Sequence, residues 1–144
     1  MYKNLEKIAG FIKDHHLLTL ATSALNIPQC SNLFYAYLED ENVFIVASDE
    51  ETEHIQNALK NPVIAASIAL ETTVIGKIQG LQIKGNISKA DDDSAKKAYF
   101  KAFPYAKVMK PTLWRIRVSV MKLTDNRLGF GKKLIWDNDK AILE

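Results

Sequence analysis

A chain of 144 residues with 47% hydrophobic and 25% charged side chains is long enough to bury the core of one domain without cross-links. Its net charge of +2 excludes a strongly basic nucleic-acid binder, and its single cysteine, Cys30, excludes an internal disulfide. No apolar run reaches the roughly 20 residues that cross a bilayer, and the start lacks a basic leader followed by an apolar run, so the expectation is a soluble cytoplasmic protein with neither membrane nor nucleic acid as partner.

Residues Met1 to His15 set Leu5, Ile8, Ala9 and Ile12 at helical spacing and leave Lys3, Glu6, Lys7 and Lys13 for the other side, which predicts a packing helix. The apolar and β-branched run from His16 to Ser23 predicts a strand, with a turn at Asn26-Ile27-Pro28. From Gln29 to Leu38 the chain alternates, placing Ser31, Leu33, Tyr35 and Tyr37 on one face and Cys30, Asn32, Phe34, Ala36 and Leu38 on the other. Both faces carry apolar bulk, as in a barrel wall whose outside meets a helix or another subunit. The acidic turn Glu39 to Asn42 leads into a short buried strand, Val43 to Ala47, completing a hairpin. Ser48 and Glu51 then have capping-box spacing, so a helix is predicted to start there, with Ile55, Ala58 and Leu59 inward and Asn61-Pro62 as its stop. Such a helix start beside a strand end is a place where phosphate can bind, although most meet only water.

Val63 to Leu70 is an apolar run read as strand, though rich enough in alanine to suit a helix, and Ile75 to Ile87 alternates as a longer strand. Its three glycines, Gly76, Gly80 and Gly85, predict bends, bulges or close approach. Asp91, Asp92 and Asp93 open another helix, carrying Ala95, Ala98, Tyr99, Ala102 and Phe103 up to Pro104, and Tyr105 to Lys110 suits one more helical turn. After Pro111 a strand is predicted with Trp114, Ile116, Val118 and Val120 inward and Arg115, Arg117 and Ser119 outward; Met121 to Thr124 prolongs it, and Asp137 to Glu144 reads as a loose tail. Strands in hairpin-like succession, with three helices that do not alternate with them, predict one mainly β domain over residues 1–144, an antiparallel barrel with attached helices (α+β).

Few residues offer chemistry of their own. His15 and His16 are adjacent and lack a ligand-spaced partner, so no metal site is predicted. Cys30 in an apolar strand reads as an inert core thiol more readily than as a nucleophile. No Gly-x-Ser-x-Gly elbow or phosphate-binding Gly-Lys-Ser/Thr loop occurs, and Gly129-Phe130-Gly131 lacks the third glycine of a dinucleotide fingerprint. The stretch Thr124 to Trp136 gathers two glycines, Lys132, Lys133 and Trp136, which suits a planar anion as well as it suits a glycine-kinked hairpin with solvated lysines. Catalytic residues are not identified, and any redox chemistry would belong to a bound cofactor.

The run Asn32-Leu33-Phe34-Tyr35, then Ala47-Ser48 with Thr52-Glu53-His54-Ile55 and Asn61-Pro62, then Gly80-Leu81-Gln82-Ile83-Lys84-Gly85, resembles the pyridoxamine 5'-phosphate oxidase-like FMN-binding split barrels. The closing Lys122 to Asn126 and Leu128 to Lys133 look closer still to the bacterial YhbP-like branch. The resemblance implies a six- to seven-stranded antiparallel split β-barrel, a homodimer, and a flavin in each of two clefts between subunits. Carried over residue by residue, it sets Asn32, Leu33 and Phe34 along the ring system and Ser48, Thr52 and His54 around the phosphate. Gly80 and Gln82 fall on the strand that sends a glutamine to the flavin, and Asn126, Lys132, Lys133 and Trp136 reach in from the partner. Asn32, Glu53 and His54 stand where phosphate-binding members carry arginine or lysine, and Lys133-Leu134-Ile135 replaces the Arg-x-His pattern that holds pyridoxal phosphate, which argues against pyridoxamine phosphate oxidation. The resemblance thus implies FMN, with haem or a deazaflavin as alternatives. It implies either an oxidoreductase passing electrons between a nicotinamide donor and a small-molecule substrate, or a non-catalytic holder of flavin, haem or another planar anion.

Overall fold

The computed structural model describes residues 2–139, so Met1 and the tail beyond Asp139 lie outside the described residues. Helix α1 (Tyr2–Lys13) is followed by strands β1 (Leu17–Ala24) and β2 (Ile27–Leu38), joined by a two-residue turn in which Leu25 and Asn26 take φ of 52° and 64°. Turns with two positive φ values match the right-handed twist of a hairpin, and this one sits earlier than predicted. Ile27 and Pro28 already belong to β2, with Pro28 opposite Ser23 near the strand's end. Strand β3 (Val43–Ala47) completes the second hairpin. Helix α2 spans Glu53–Lys60 and is capped by Thr52, whose hydroxyl accepts from the Ile55 N–H at 3.4 Å. The predicted Ser48–Glu51 capping box is not formed, because the Ser48 hydroxyl is taken by His54 and the chain from Asp49 to Thr52 makes a separate turn.

Strand β4 (Val63–Ala69) is a strand as predicted, whereas the next segment divides. A 3₁₀ turn occupies Ile75–Lys77, and β5 runs later than predicted, over Gln79–Lys89. Helix α3 (Asp93–Ala102), capped by Asp92, and a 3₁₀ segment at Pro104–Met109 precede the long β6 (Leu113–Asp125) and the short β7 (Lys133–Asp137). The antiparallel order is β3-β2-β1-β4-β5-β6-β7, and β3 also pairs β6, which closes six strands into a barrel.

The closing strand explains the split form. One edge of β6 follows β5 throughout, while the other pairs β3 through Leu113–Arg117 and β7 through Val120–Thr124. Between these halves the register skips Ser119, whose hydroxyl donates to the Lys84 carbonyl at 2.9 Å. Gly85 stands at this shift, and a Cβ there would run into the Arg117 carbonyl oxygen. The extra residue reverses the side-chain phase: Trp114, Ile116 and Val118 face inward, but Val120 pairs Lys84 on the outer face and Met121 and Leu123 take over inside. Uninterrupted alternation placed Val120 inward; the bulge corrects it.

The barrel core gathers Leu18, Leu20, Phe44, Ile64, Ile68, Leu81, Ile83, Trp114 and Ile116. Helix α1 adds Ile8, Phe11 and Ile12 at the end where β1 starts, with Tyr35 Oη donating to the Ile12 carbonyl at 2.6 Å. Helix α2 adds Ile55 and Ala58 at the opposite end, where Asn61 Nδ2 donates to the Ser23 carbonyl at 2.9 Å. Helix α3 lies outside the barrel, covering Ala36, Val43, Ile45 and Leu113 with Ala95 and Tyr99.

Candidate functional site

Strand alternation turns Asn32, Phe34, Ala36 and Leu38 of β2 outward, and the two ends of this strip have different chemistry. At one end β3 releases the chain at Ser48, whose carbonyl accepts from Trp114 Nε1 at 2.8 Å. Ser48 Oγ lies 2.6 Å from His54 Nε2 and 3.4 Å from Thr52 Oγ1, and Thr52 Oγ1 lies 3.3 Å from the same imidazole nitrogen. Three of the predicted residues are therefore one hydrogen-bonded cluster at the start of α2. Burial holds the His54 imidazole below its ordinary value, favouring the neutral ring. Glu53, the carboxylate of concern beside a phosphate, accepts from Gln29 Nε2 at 2.9 Å.

At the other end β2 from Tyr35 to Leu38, the end of α1 and the flank of α3 enclose a cleft of about 850 Å³. Its α3 wall is the stripe Ser94, Lys97, Ala98, Lys101 and Ala102, and Lys13 and His16 stand opposite. Phe34, half exposed, stacks on His16 at 5.8 Å between centroids and leans on Phe103 at 5.5 Å. Burial, with Glu39 nearby, pushes the Tyr37 phenol up to about 12, and burial raises Tyr35 further, so both remain protonated donors at neutral pH. Nothing in the sequence taken alone marks the lysines of this cleft or Phe103 as site residues. The nearest signal is the i, i+4 pair Lys97 and Lys101 beside the small residues Ala98 and Ala102 on α3.

The other predicted residues scatter. Leu33 faces inward against the core, unlike its neighbours Asn32 and Phe34. Asn32 accepts from Thr19 Oγ1 at 2.8 Å and belongs to a row of facing residues, Asn32, Thr19, Ser67, Gln82, Lys122 and Ile135, that crosses the outer sheet surface. Gln82 is on the same surface as Asn32 but three strand spacings away, about 14 Å; Gly80 lies one pleat further along β5, opposite Ala69 and Thr124. Asn126 uses its side chain to hold the β6–β7 connection: Oδ1 accepts from the Gly131 N–H at 3.0 Å, and Nδ2 donates to the Ile75 carbonyl at 2.9 Å. Gly129 and Gly131 have φ of 137° and 71°, so the stretch is a hairpin that needs glycine at both positions. Lys132 and Lys133 are exposed there. Trp136 faces Met121 inside the barrel and is 7% exposed, so its ring is core and offers no face to a ligand on the outer surface.

Among the described residues no three His, Cys, Asp or Glu side chains gather as a metal site, and no helix is long and apolar enough to cross a membrane. Residues 5–125 match the family model described as pyridoxamine 5'-phosphate oxidase. A UPF0306 protein of Yersinia pseudotuberculosis is 34% identical over 138 residues, covering 94% of each chain. Among solved structures, a heme binding protein from Mycobacterium smegmatis superposes with a TM-score of 0.77 at 17% identity, over 94% of this chain and 58% of that one. A Clostridium acetobutylicum protein related to general stress protein 26, of the pyridoxinephosphate oxidase family, gives 0.69 at 15% identity over 96% of both. These low identities bear on the fold, and they agree with the seven-stranded split barrel. With a family model matched over most of its length, the chain belongs to the pyridoxamine 5'-phosphate oxidase family.

Proposed function

We propose that this protein holds a flat anionic cofactor, FMN by preference, along the outer face of β2, and that it is an oxidoreductase passing electrons between a nicotinamide donor and a small acceptor. The observation that carries the reading is the continuity of β2: one strand runs from the Ser48, Thr52 and His54 cluster to the lysine-rimmed cleft under α3. The hydroxyls, the imidazole and the free N–H groups at the start of α2 suit a phosphate. Asn32 and Phe34 suit the length of a ring system, and Lys97 and Lys101 suit an anionic acceptor beside it. FMN, when bound, would supply the hydride exchange that the chain's own side chains do not offer. The residues fit the group: Glu53 is engaged by Gln29, and the strip beside Asn32 is lined by the small outward side chains Ala21, Ala65 and Ser67.

The same surface supports a homodimer. Ala21, Ala65, Ser67 and Ala69 form a low outward patch, bordered by Leu17 and Val63 at 44% and 67% exposure. A two-fold copy laid on this patch would bury those apolar groups and bring Gly80, Gln82, Lys132 and Lys133 of one protomer toward the β2 strip of the other.

A second reading is favoured by His54, which is held neutral and bonded to Ser48, with no arginine in its place. A weaker grip on phosphate suits a protein that carries flavin, a deazaflavin or haem without turnover. The first test is the visible spectrum of the purified protein before and after FMN addition and desalting. About one flavin per subunit, reduced by NADH or NADPH in the absence of oxygen and reoxidised by an added acceptor, is the expected result. Retained flavin that no donor reduces would leave the carrier reading, and a Soret band with no flavin would favour haem.

A further inference from the structure

Helix α3 has a second flank, which the proposed cofactor strip does not use. Lys97 and Lys101 face the β2 cleft, whereas Lys96 and Phe100 face a separate cleft of about 480 Å³ between the end of β5, the 3₁₀ segment at Pro104–Met109 and the start of β6. Its floor is apolar: Ala90 and Leu113 are buried, and Phe100 packs edge-on to Tyr99 with centroids 6.0 Å apart. Its rim carries Lys89, Lys96, Lys107 and Lys110 against one carboxylate, Asp91. Lys89 is paired with Glu50 at 2.6 Å, but no ion pair among the described residues engages Lys96, Lys107 or Lys110. Two positive charges are thus left in excess over this one small cavity, as many as on the whole chain. Lys110 ends the 3₁₀ segment as its left-handed cap, with φ 48° and its N–H donating to the Lys107 carbonyl, and lines the mouth of the cleft.

Like charges gathered over an apolar floor repel one another until an anion joins them, and lysine ammonium groups serve as point charges for phosphate oxygens. The volume lies within the range of small-ligand sites and suits one ring plus one phosphoryl group. We propose that this α3 flank is an anion site distinct from the β2 strip, and that it takes a small dianion bearing a flat apolar ring, of the aryl phosphate class. The ring lies on the floor toward Phe100, and the phosphoryl group meets Lys96, Lys107 and Lys110.

The test uses 4-fluorophenyl phosphate, with inorganic phosphate and 4-fluorophenol as separate arms, followed by fluorine NMR and by backbone amide shifts of the full chain. The expected result is saturable binding of the aryl phosphate with shifts at Ala90, Phe100, Lys110 and Leu113. Binding should weaken at least about tenfold in Lys96→Ala/Lys110→Ala, as loss of charge-assisted contacts requires, and be retained in Lys97→Ala/Lys101→Ala. Unchanged affinity in the first pair overturns the proposal, as do shifts confined to Ala36, Ala98 and Ala102 in the other cleft. Equal binding of inorganic phosphate removes the ring from the ligand class, and equal binding of 4-fluorophenol removes the charge. The unperturbed remainder of the amide spectrum reports that each variant is folded, and the outcome is independent of whether FMN binds along β2.

Discussion

The wall made by β1, β2, β4 and β5 has two faces built from the same strands, and they obey different rules. Inside stand Leu18, Leu20, Ile64, Ile68, Leu81 and Ile83, each at most 4% exposed. Outside stand Leu17, Thr19, Asn32, Phe34, Val63, Ser67 and Gln82, in which short polar groups alternate with apolar ones left open. Strand periodicity forces the division, but only the inner face is accounted for by folding. The outer face holds apolar surface that the single chain leaves in water, and it is there that we place the proposed partner and ligand. The difference separates residues that keep the barrel from residues that folding leaves available for the proposed function.

That division can be broken most severely from inside. Trp114→Ala removes a fully buried ring and its bond to the Ser48 carbonyl, and is expected to cost about 3–5 kcal/mol in urea unfolding; a loss below about 1 kcal/mol would mean the core is not packed as described. Gly85→Ala forces a methyl against the Arg117 carbonyl at the bulge and should cost about 1–3 kcal/mol, whereas Gly80→Ala, with open space at its Cβ, should cost under about 1 kcal/mol. Equal effects at the two glycines would place the strain elsewhere. Thr52→Ala, which loses the α2 cap, should cost about 1 kcal/mol, with FMN retention falling more than stability if the cluster also holds phosphate.

The pH response is smaller and follows from His54 and from two carboxylates, Asp92 beside Arg115 and Asp125 beside Arg127, all held below their ordinary values. Burial holds His54 below its ordinary 6.5, so its contribution is complete above that pH and is lost as pH falls through its lower folded value. The Arg127 guanidinium, with two bonds to the Asp125 carboxylate, holds that acid below its ordinary 3.8, so a second loss begins only at still lower pH. Urea midpoints should therefore decline in two stages on acidification, and His54→Gln should remove the first; the same first stage in that variant would assign it to another group. The smallest effect on the fold is expected outside. Ala65→Arg should change unfolding of the monomer by no more than about 0.5 kcal/mol, and should by light scattering dissociate the dimer proposed for the parent. A monomeric parent would dismiss the outer patch as a self-association face.

Much of this partition is written in local spacing. The alternation of β2 from Ser31 to Leu38 identifies its inner and outer residues, and Asp92 and Pro104 bracket α3 as helix signals should. The failures come where a distant partner changes a local rule. Val120 turns outward because β6 exchanges neighbours and Ser119 is squeezed out of register, and nothing in Val118-Ser119-Val120 announces that. Ser48 reads as a cap but is claimed by His54, six residues away, so Thr52 does the capping. Trp136 beside two lysines looks like part of a ligand surface, yet the two-residue period from Lys133 carries it inside. The cluster at His54 is legible because its members are close in sequence. The cleft of His16, Lys97 and Phe103 is not, because α3 reaches β2 only through the fold.

The divided edge of β6 also sets an order of assembly. The β1–β2, β2–β3 and β6–β7 hairpins join segments separated by short connections, and their contacts can form within microseconds of collapse. The β3–β6 seam joins Val43 to Arg117, with most of the chain looped between them. Its loop-closure entropy must be met before its contacts return anything, so the seam belongs to the late, rate-limiting part of folding. The β7 hairpin can occupy its half of the β6 edge while the β3 half is still empty, leaving the incoming strand one short stretch, Leu113 to Arg117, on which to find its register.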